Sequence, residues 1–435
     1  MTEQDLLDRG IELIAISFVD NAGLTRAKSI TAARAEAAAA RGLGSPKAFS
    51  IFTGEDGMAT STGYEATGDT RLVPDLDRLA GGLDGWGWAP GDLLDQEGEP
   101  WEFCTRSFLK RQAARVAEAG FEMRMTFEHE WYAETNDGVP AHSTPAYSLN
   151  STAEAGAYLR EVARRLVALG VTVEQIHPEY SAGQMEVSVG VADPVGAADN
   201  CVATRHAIRT AWPATGIRPS FAPLARPDGL GNGCHLHFSL WRDGRNLLGS
   251  DADDELGIAP EGRAFMAGVL REFRALAALG CGCPLSYRRL APNRWTGAYV
   301  CWGTENREAP LRFIRGARAA RPGGANAEVK TLDCSANPYL VAGGVIAAGL
   351  AGLAENLQLP EPVQIEPSRV AGELGLELLP DSLDAAADTL AGSQVLREAL
   401  GQPMHDAIVA VRRAEAMSTA GRDEHQLFEF YRWRY

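Results

Sequence analysis

The sequence lacks several features that would assign it to a familiar class of protein. Its seven cysteines include no Cys-x-x-Cys pair, which excludes a zinc ribbon and predicts reduced thiols in a cytosolic protein. The formal net charge is −16, so we expect no nucleic-acid partner. The longest apolar run, residues 339–354, is shorter than the roughly 18–20 residues that cross a bilayer, and it predicts a buried helix instead. The acidic start, MTEQDLLDRGIE, does not resemble a secretory signal, so we expect a cytoplasmic protein without a membrane partner.

Two common nucleotide-binding motifs are also missing. The sequence contains no G-x-x-x-x-G-K-[S/T] phosphate loop. The stretch GLGNGCH has spaced glycines, but it precedes a predicted strand and does not open a helix, so it fits a dinucleotide fingerprint poorly. If the protein binds a nucleotide, it must hold it in another way.

The length of 435 residues allows two or three domains. The stretch 81–100 is dense in glycine, aspartate and proline, and it predicts a boundary between units 1–103 and 104–435. A helix begins just after this boundary, with Thr105 or Ser107 as its expected cap. Beyond it, short strands alternate with helices, and several strands follow one another directly. This order predicts an α+β fold with a mostly antiparallel sheet backed by helices.

Acidic and histidine side chains recur within the predicted strands. In RMTFEHEWY (124–132), alternation along a strand places Glu128 and Glu130 on one face. Later strands repeat the pattern with Glu179 and Glu186, His235 and His237, and Glu328 and Lys330. A single pair of this kind is more often on a solvated face, and a lone histidine is more often a satisfied core residue. Five glutamates converging without a cation would repel one another, so the whole pattern favours a cage for Mg²⁺ or Mn²⁺.

Arginines are dense between residues 288 and 321, although the protein is acidic overall. A solvated basic patch would explain them. However, Arg289, Arg307 and Arg312 lie in apolar surroundings, in SYRRLAP and ENREAPLR. Guanidinium groups make paired contacts with phosphate and carboxylate, and together with metal ions they are the components that phosphoryl transfer requires.

Six stretches occur in the order and spacing of one known family: FEHEW, HPEYSAGQMEVSV, GNGCHLHFSL, SYRRLAP, WGTENREAPLRF and EVKTLDCSANPYL. From about residue 10 the chain resembles the glutamine synthetases. The resemblance implies an N-terminal β-grasp domain, then a catalytic domain with a curved antiparallel sheet backed by helices. It also implies a funnel that takes ATP at one end and L-glutamate at the other. Members of the family form rings, commonly dodecamers of two hexamers, with each site at a subunit interface.

The resemblance also implies roles for individual residues. One metal ion would be held by Glu130, Glu179 and Glu186, and another by Glu128, His235 and Glu328, with two or three Mg²⁺ or Mn²⁺ ions per site. Glutamate would be bound by Arg289 and Gly231, with Lys330 in place of a substrate-facing arginine. The phosphates of ATP would be bound by Arg307 and Arg312, and the rest of the nucleotide by His237, Ser239 and Glu174.

The departures from the family pattern concern the nucleophile. Trp295 stands where glutamine synthetases carry a catalytic flap glutamate, and Thr53 stands at a second acidic position, where Glu55 or Asp56 could substitute. Leu230 replaces a glutamate-binding asparagine. An indole suits an organic amine better than ammonium, so we expect a ligase that joins the γ-carboxyl of glutamate to an amine.

Two alternatives to this ligase stay open. One is an authentic glutamine synthetase that uses ammonia, and the other is a catalytically silent family member with a structural or regulatory role. The amine itself is equally open among ethanolamine, alkylamines, aromatic amines and polyamines.

Overall fold

The computed structural model describes residues 1–61, 67–143, 145–250, 254–321 and 323–435, and this part of the chain contains two β-sheets. The strands of the first sheet are β1 (Leu13–Val19), β2 (Thr25–Thr31), β3 (Leu43–Pro46), β4 (Asp69–Pro74), β5 (Ala80–Leu83) and β6 (Trp86–Leu94). They run in the order β2-β1-β6-β4-β3, with β5 also on β6. The β1–β2 hairpin lies beside β6, which is parallel to β1. This is the expected N-terminal β-grasp arrangement.

The second sheet carries the residues that the sequence singles out. Its strands are β7 (Glu122–Thr135), β8 (Val173–Pro178), β9 (Gln184–Val189), β10 (Ile217–Ser220), β11 (Cys234–Arg242), β12 (Arg245–Asn246), β13 (Trp302–Thr304), β14 (Leu311–Ile314) and β15 (Asn326–Val329). They run in the order β13-β14-β15-β11-β7-β9-β8, with β10 on β7 and β12 on β11. Among the described strand pairs of this sheet, β13 with β14 is parallel and the others are antiparallel. The prediction of a mostly antiparallel sheet is confirmed.

Helices back the sheets and confirm the α+β class. They are α1 (Glu3–Asp8), α2 (Ala35–Arg41), α3 (Thr105–Glu118), α4 (Leu149–Ala168), α5 (Pro194–Thr210), α6 (Trp212–Thr215), α7 (Pro260–Arg271), α8 (Phe273–Gly280), α9 (Pro284–Arg289), α10 (Pro338–Ala354), α11 (Pro367–Leu374), α12 (Leu383–Gly392), α13 (Gln394–Leu400), α14 (Gln402–Thr419) and α15 (Glu424–Tyr431). The division at residue 103 stays a prediction.

The apolar run 339–354 forms most of α10, and nearly all of this helix is buried, as predicted. It packs against α7 through glycines on both helices. A Cβ atom added to Gly268 would lie 2.2 Å from the Ala348 carbonyl oxygen, and one added to Gly352 would lie 2.2 Å from that of Ala264. Only glycine allows these two backbones to approach so closely. Among the described residues, no helix has the length and apolar character that a membrane crossing requires.

The expected cap of α3 is wrong. The helix begins at Thr105, but its N-cap is Cys104, whose Sγ accepts the backbone N–H groups of Ser107 and Leu93 at 3.5 and 3.3 Å. Cysteine is not a favoured N-cap residue, so composition pointed to the nearby threonine and serine instead. The thiol can cap the helix because the fold places it between β6 and α3, and this placement is not visible in the sequence.

Strand β7 shows why the acids end up on one side of the sheet. Its odd-numbered residues Phe127, His129 and Trp131 are buried, whereas Glu128 and Glu130 between them are only half-buried. The two-residue period of a strand therefore sorts this segment into a core face and a polar face. Neighbouring strands add to that polar face at fixed register: Glu130 is paired with Glu186 of β9, and Glu128 with His235 of β11.

Candidate active site

A cavity of about 580 Å³ opens on the polar face of the second sheet. The predicted site residues that line it are Glu128, Glu130, Glu179, Glu186, Gly231, His235, His237, Arg289, Trp295, Arg307, Arg312, Glu328 and Lys330. The other two, Glu174 and Ser239, line a neighbouring cavity of about 310 Å³, which shares Glu128 and His237 with the first. The structure thus gathers the six sequence stretches around two adjoining cavities. The individual roles of these residues stay predictions.

The first acidic group surrounds His177, a residue that the sequence analysis missed. Its Nε2 lies 3.4 Å from Oε1 of Glu186, and its Nδ1 lies 3.9 Å from Oε1 of Glu179. Burial, together with nearby carboxylates, raises the pKa of Glu186 to about 7, and burial also raises the pKa of Glu179. A hydrogen bond to Glu186 raises the pKa of His177. Several carboxylates of the same charge are thus buried close together, as expected of acids that face a cation.

The second group centres on His235. Its Nδ1 lies 3.1 Å from Oε1 of both Glu128 and Glu328. Glu328 also lies 3.2 Å from the Lys330 ammonium and 3.2 Å from the Arg312 guanidinium. Burial opposes ionisation of Glu128, but the hydrogen bond from His235 and the charge of His237 hold its pKa at about 2.

Divalent metal ions fit both groups. In each of two trios, His177–Glu179–Glu186 and Glu128–His237–Glu328, the possible ligand atoms lie within 4.8 Å of one another. Three buried imidazole nitrogens at these groups have no hydrogen-bond partner among the described residues: His177 Nδ1, His235 Nε2 and His237 Nε2. Carboxylate oxygens with one or two imidazoles are a donor set for Mg²⁺ or Mn²⁺. The structure therefore offers two further candidate ligands, His177 and His237, of which the resemblance places His237 at the nucleotide.

Arginines also line the cavity. Arg289 is only 1% exposed, and its guanidinium donates to the carbonyl oxygens of Thr331 and Lys330 at 3.0 and 2.9 Å. Its position depends on Gly231, since a Cβ atom there would lie 2.4 Å from Cγ of Arg289. The exposed Arg307 makes no hydrogen bond or ion pair with another described residue. Its charge is therefore available to an anionic ligand.

Aromatic side chains, including Trp295, form another part of the cavity lining. The indole is 45% exposed, and its ring centre lies 4.7 Å from that of Tyr180. Tyr180 in turn contacts Tyr147 at 5.3 Å, and the Tyr147 hydroxyl donates a hydrogen bond to Glu179. All three aromatic side chains line the cavity, so an apolar, π-rich surface lies directly beside the first acidic group.

Several of the missed residues had a signal in the sequence. His177 and Glu179 alternate along the end of β8, the same spacing that drew attention to Glu128 and Glu130. Tyr180 lies inside one of the six stretches. Tyr147 had no such signal, because it comes from a loop before α4 and reaches Glu179 only in the folded chain.

The acids proposed to replace the second ammonium-binding residue already have partners. The Glu55 carboxylate lies 2.7 Å from the Arg422 guanidinium, and that of Asp56 lies 2.6 Å from Arg26. Thr53 is buried, and its hydroxyl interacts with the Gly57 backbone. Within the described subunit, neither acid is a free counter-charge for ammonium.

Comparison with known proteins agrees with this geometry. The profile "Glutamine synthetase, catalytic domain" matches residues 102–431. The chain is 42% identical to the gamma-glutamylpolyamine synthetase GlnA3 of Streptomyces coelicolor, over 99% of this chain and 95% of that protein. It is 31% identical to the glutamine synthetase of Thermococcus kodakarensis, over 70% of this chain and 68% of that protein. A crystal structure described as a novel glutamine synthase homolog superposes with a TM-score of 0.89 at 32% identity, over 98% of this chain and 99% of that one.

Proposed function

Since the chain belongs to the glutamine synthetase family, we propose that it joins the γ-carboxyl of L-glutamate to an organic amine at the expense of ATP. The protein is a ligase that forms carbon–nitrogen bonds, as its relatives are. The product would be a γ-glutamylamide. The observation that carries the choice of amine is the contact between Trp295 and Tyr180 at the mouth of the acid-lined cavity.

The aromatic wall distinguishes an amine with carbon from ammonia. Either cation can place its charge near the ring face of an indole, but only an alkylammonium group also buries methylene groups against it. The two acids named as substitutes at the second ammonium-binding position, Glu55 and Asp56, do not line this cavity, and both are ion-paired.

The reaction would proceed in two displacements. A γ-carboxylate oxygen of glutamate attacks the γ-phosphorus of ATP, ADP leaves, and γ-glutamyl phosphate forms. The ammonium group of the amine loses a proton to solvent and its nitrogen then attacks the acyl carbon. The bond to phosphate breaks, and the amide forms with release of phosphate and a second proton. Phosphorylation is needed because a carboxylate has no good leaving group, whereas phosphate is one.

Different residues of the cavity would have different roles in this reaction. Arg289 and Gly231 would bind glutamate, with Lys330 near its carboxylate, and Arg307 would stabilise the charge that develops on the transferring phosphoryl group.

The family uses ATP with a divalent metal, and we propose two or three Mg²⁺ or Mn²⁺ ions per site. Bound there, the ions would neutralise phosphate charge. The proposed ligands are Glu130, Glu179 and Glu186 for one ion, and Glu128, His235 and Glu328 for another, with Arg312, His237, Ser239 and Glu174 at the nucleotide.

The assembly is a further part of the proposal. Members of the family are commonly oligomeric, and we propose a cytoplasmic dodecamer of two hexameric rings with small-molecule substrates only. Light scattering during size-exclusion chromatography measures the mass directly. The chain has a mass of 46.6 kDa, and a particle twelve times that mass is expected.

The decisive experiment is an ATP-dependent phosphate-release assay with L-glutamate and a panel of nucleophiles. The panel contains ammonia, ethylamine, ethanolamine, benzylamine, 1,4-diaminobutane and spermine. The last two are assayed first, because the Streptomyces relative is named a gamma-glutamylpolyamine synthetase. We expect at least one amine to exceed ammonia in kcat/KM, with the amide identified by mass spectrometry. Preference for ammonia over every amine would show an authentic glutamine synthetase, and no turnover with any nucleophile would favour the silent family member.

A further inference from the structure

The loop that carries Trp295 has an unusual backbone. It joins α9 to β13, and two of its residues that are not glycine, Asn293 and Trp295, have φ angles of +63° and +57°. Residues other than glycine seldom adopt this left-handed backbone conformation. A bulky residue such as tryptophan does so only when its surroundings enforce it. The orientation of the indole therefore depends on whatever fixes the backbone at these two positions.

The fixing group is the carboxylate of Glu308. Its Oε1 accepts the backbone N–H of Trp295 at 2.7 Å, and the residue is only 7% exposed. Burial raises the pKa of Glu308, while the hydrogen bond from the Trp295 backbone counteracts part of that rise. This side chain thus fixes the backbone at the left-handed Trp295 directly. It is not among the residues that line the cavity.

Glu308 is itself held firmly. Its backbone N–H donates to Oδ1 of Asn306 at 3.1 Å. The Asn306 amide donates to the carbonyl oxygens of Val363 and Ile365 at 2.8 and 3.0 Å, which ties this turn to a separate segment of the chain. Arg307, which lines the cavity, lies between Asn306 and Glu308. The same short turn therefore presents Arg307 on one side and supports the Trp295 loop on the other.

We propose that Glu308 is a positioning residue that fixes the Trp295 loop and so sets how the site accepts its amine. The inference rests on the proposed function, because Trp295 faces an amine only in that reaction. Glu308 touches no substrate, and its influence passes through one backbone hydrogen bond. Loss of this bond should affect the nucleophile and leave glutamate and ATP largely undisturbed, because Arg289 lies on α9 and the turn that presents Arg307 is held separately by the Asn306 amide.

The test compares Glu308→Ala and Glu308→Gln with wild type as full-length protein. Steady-state phosphate release is measured with ammonia, ethylamine, 1,4-diaminobutane and spermine, and KM is determined for each nucleophile, for glutamate and for ATP. Glu308→Ala should raise KM for the amines by about tenfold to a hundredfold, the usual effect of losing a hydrogen bond to a charged group. KM for glutamate and ATP should stay within about twofold. Glu308→Gln keeps an acceptor oxygen and should recover much of the loss.

A second measurement does not depend on turnover. Trypsin cleaves after arginine, and the bond between Arg294 and Trp295 lies in the exposed part of this loop. Cleavage of that bond, followed by mass spectrometry, should be about tenfold faster in Glu308→Ala than in wild type, since local opening exposes the backbone. The matched control is Glu366→Gln, which removes a nearby negative charge without a contact to the loop. It should behave like wild type in both measurements.

The outcomes separate the inference from the proposed function. If wild type uses ammonia alone, the proposed function fails, and the inference is decided by KM for ammonia and by tryptic cleavage. Equal increases in KM for amine, glutamate and ATP would overturn the inference, because they indicate general damage. Unchanged amine KM and unchanged cleavage in Glu308→Ala would overturn it as well.

Discussion

His177 and Glu186 face each other across β8 and β9, with Nε2 of the histidine 3.4 Å from Oε1 of the glutamate. The pair stands among carboxylates whose burial works against their own charge. A hydrogen-bonded imidazole beside a carboxylate is a common way to orient the ligands of a metal ion. In the first proposed metal site, His177 is therefore a candidate ligand or orienting group beside the three predicted glutamates.

The metal assignment predicts the effects of two substitutions on cation binding. Glu186→Gln should remove a ligand and weaken Mn²⁺ binding strongly, and His177→Gln should weaken it by about tenfold to a hundredfold. Isothermal titration with Mn²⁺ measures both effects without requiring turnover. Glu122→Gln, at the exposed start of the same sheet's β7, serves as the control. Binding as tight as that of wild type in Glu186→Gln would remove this carboxylate from the ligand set.

The role of Arg307 predicts a loss of rate rather than of ATP affinity. Arg307→Ala should lower kcat by about 10²–10³, because its charge acts mainly on the transition state of phosphoryl transfer. KM for ATP should change much less. Arg318→Ala removes an equally exposed arginine of the same region and should keep the wild-type rate. A variant that shows only a higher KM for ATP would indicate that Arg307 serves ground-state binding instead.

Trp295→Glu should narrow the preference for amine over ammonia. The substitution restores a counter-charge for ammonium and removes apolar contact with the methylene groups of an amine. Each buried methylene contributes about 0.8 kcal/mol, so the loss of two such contacts costs the amine more than tenfold. The measurement is kcat/KM for ammonia and for each amine in both proteins. An unchanged ratio would mean that the indole does not contact the nucleophile.

The buried Asp20, which lies away from the cavity, should make the free energy of unfolding depend on pH. Burial raises its pKa from the ordinary 3.8 to about 6, although Arg26 lies 2.7 Å away and opposes the rise. Between these values the folded protein keeps a proton that the unfolded chain has released. The stabilising effect of that proton is therefore present near pH 4 and is lost as the pH rises through 6, by about 3 kcal/mol.

Asp20→Asn cannot titrate and provides the comparison. The stability of wild type minus that of Asp20→Asn should decrease between pH 4.5 and 7, as measured by urea unfolding. Asp137→Asn, in an exposed turn, should show no such trend. A difference that is constant across this pH range would place the pKa of Asp20 near its ordinary value.

The polar face of the sheet could be predicted from the sequence because strand periodicity is local. Glu128 and Glu130 are sorted from Phe127 and Trp131 by alternation alone, and the order of the six stretches supplied the rest. Contacts across the chain were not predictable in this way. Tyr147 meets Glu179, and Glu308 meets Trp295, only because loops converge in three dimensions. The cap at Cys104 was missed for the same reason, because its thiol also accepts a hydrogen bond from β6, which is brought next to α3 only by the fold.

The separation of the acidic strands from the Trp295 loop has a consequence for how such enzymes diversify. Insertion of one residue into β7 would turn Glu128 and Glu130 toward the core, so this strand should tolerate substitutions better than a change in length. The loop at 290–297 belongs to no strand and can change length or sequence without shifting that register. New nucleophile preferences can therefore arise on an unchanged phosphorylating scaffold. A transplant of this loop into a relative should succeed only if the acid that anchors it, Glu308, is transplanted too.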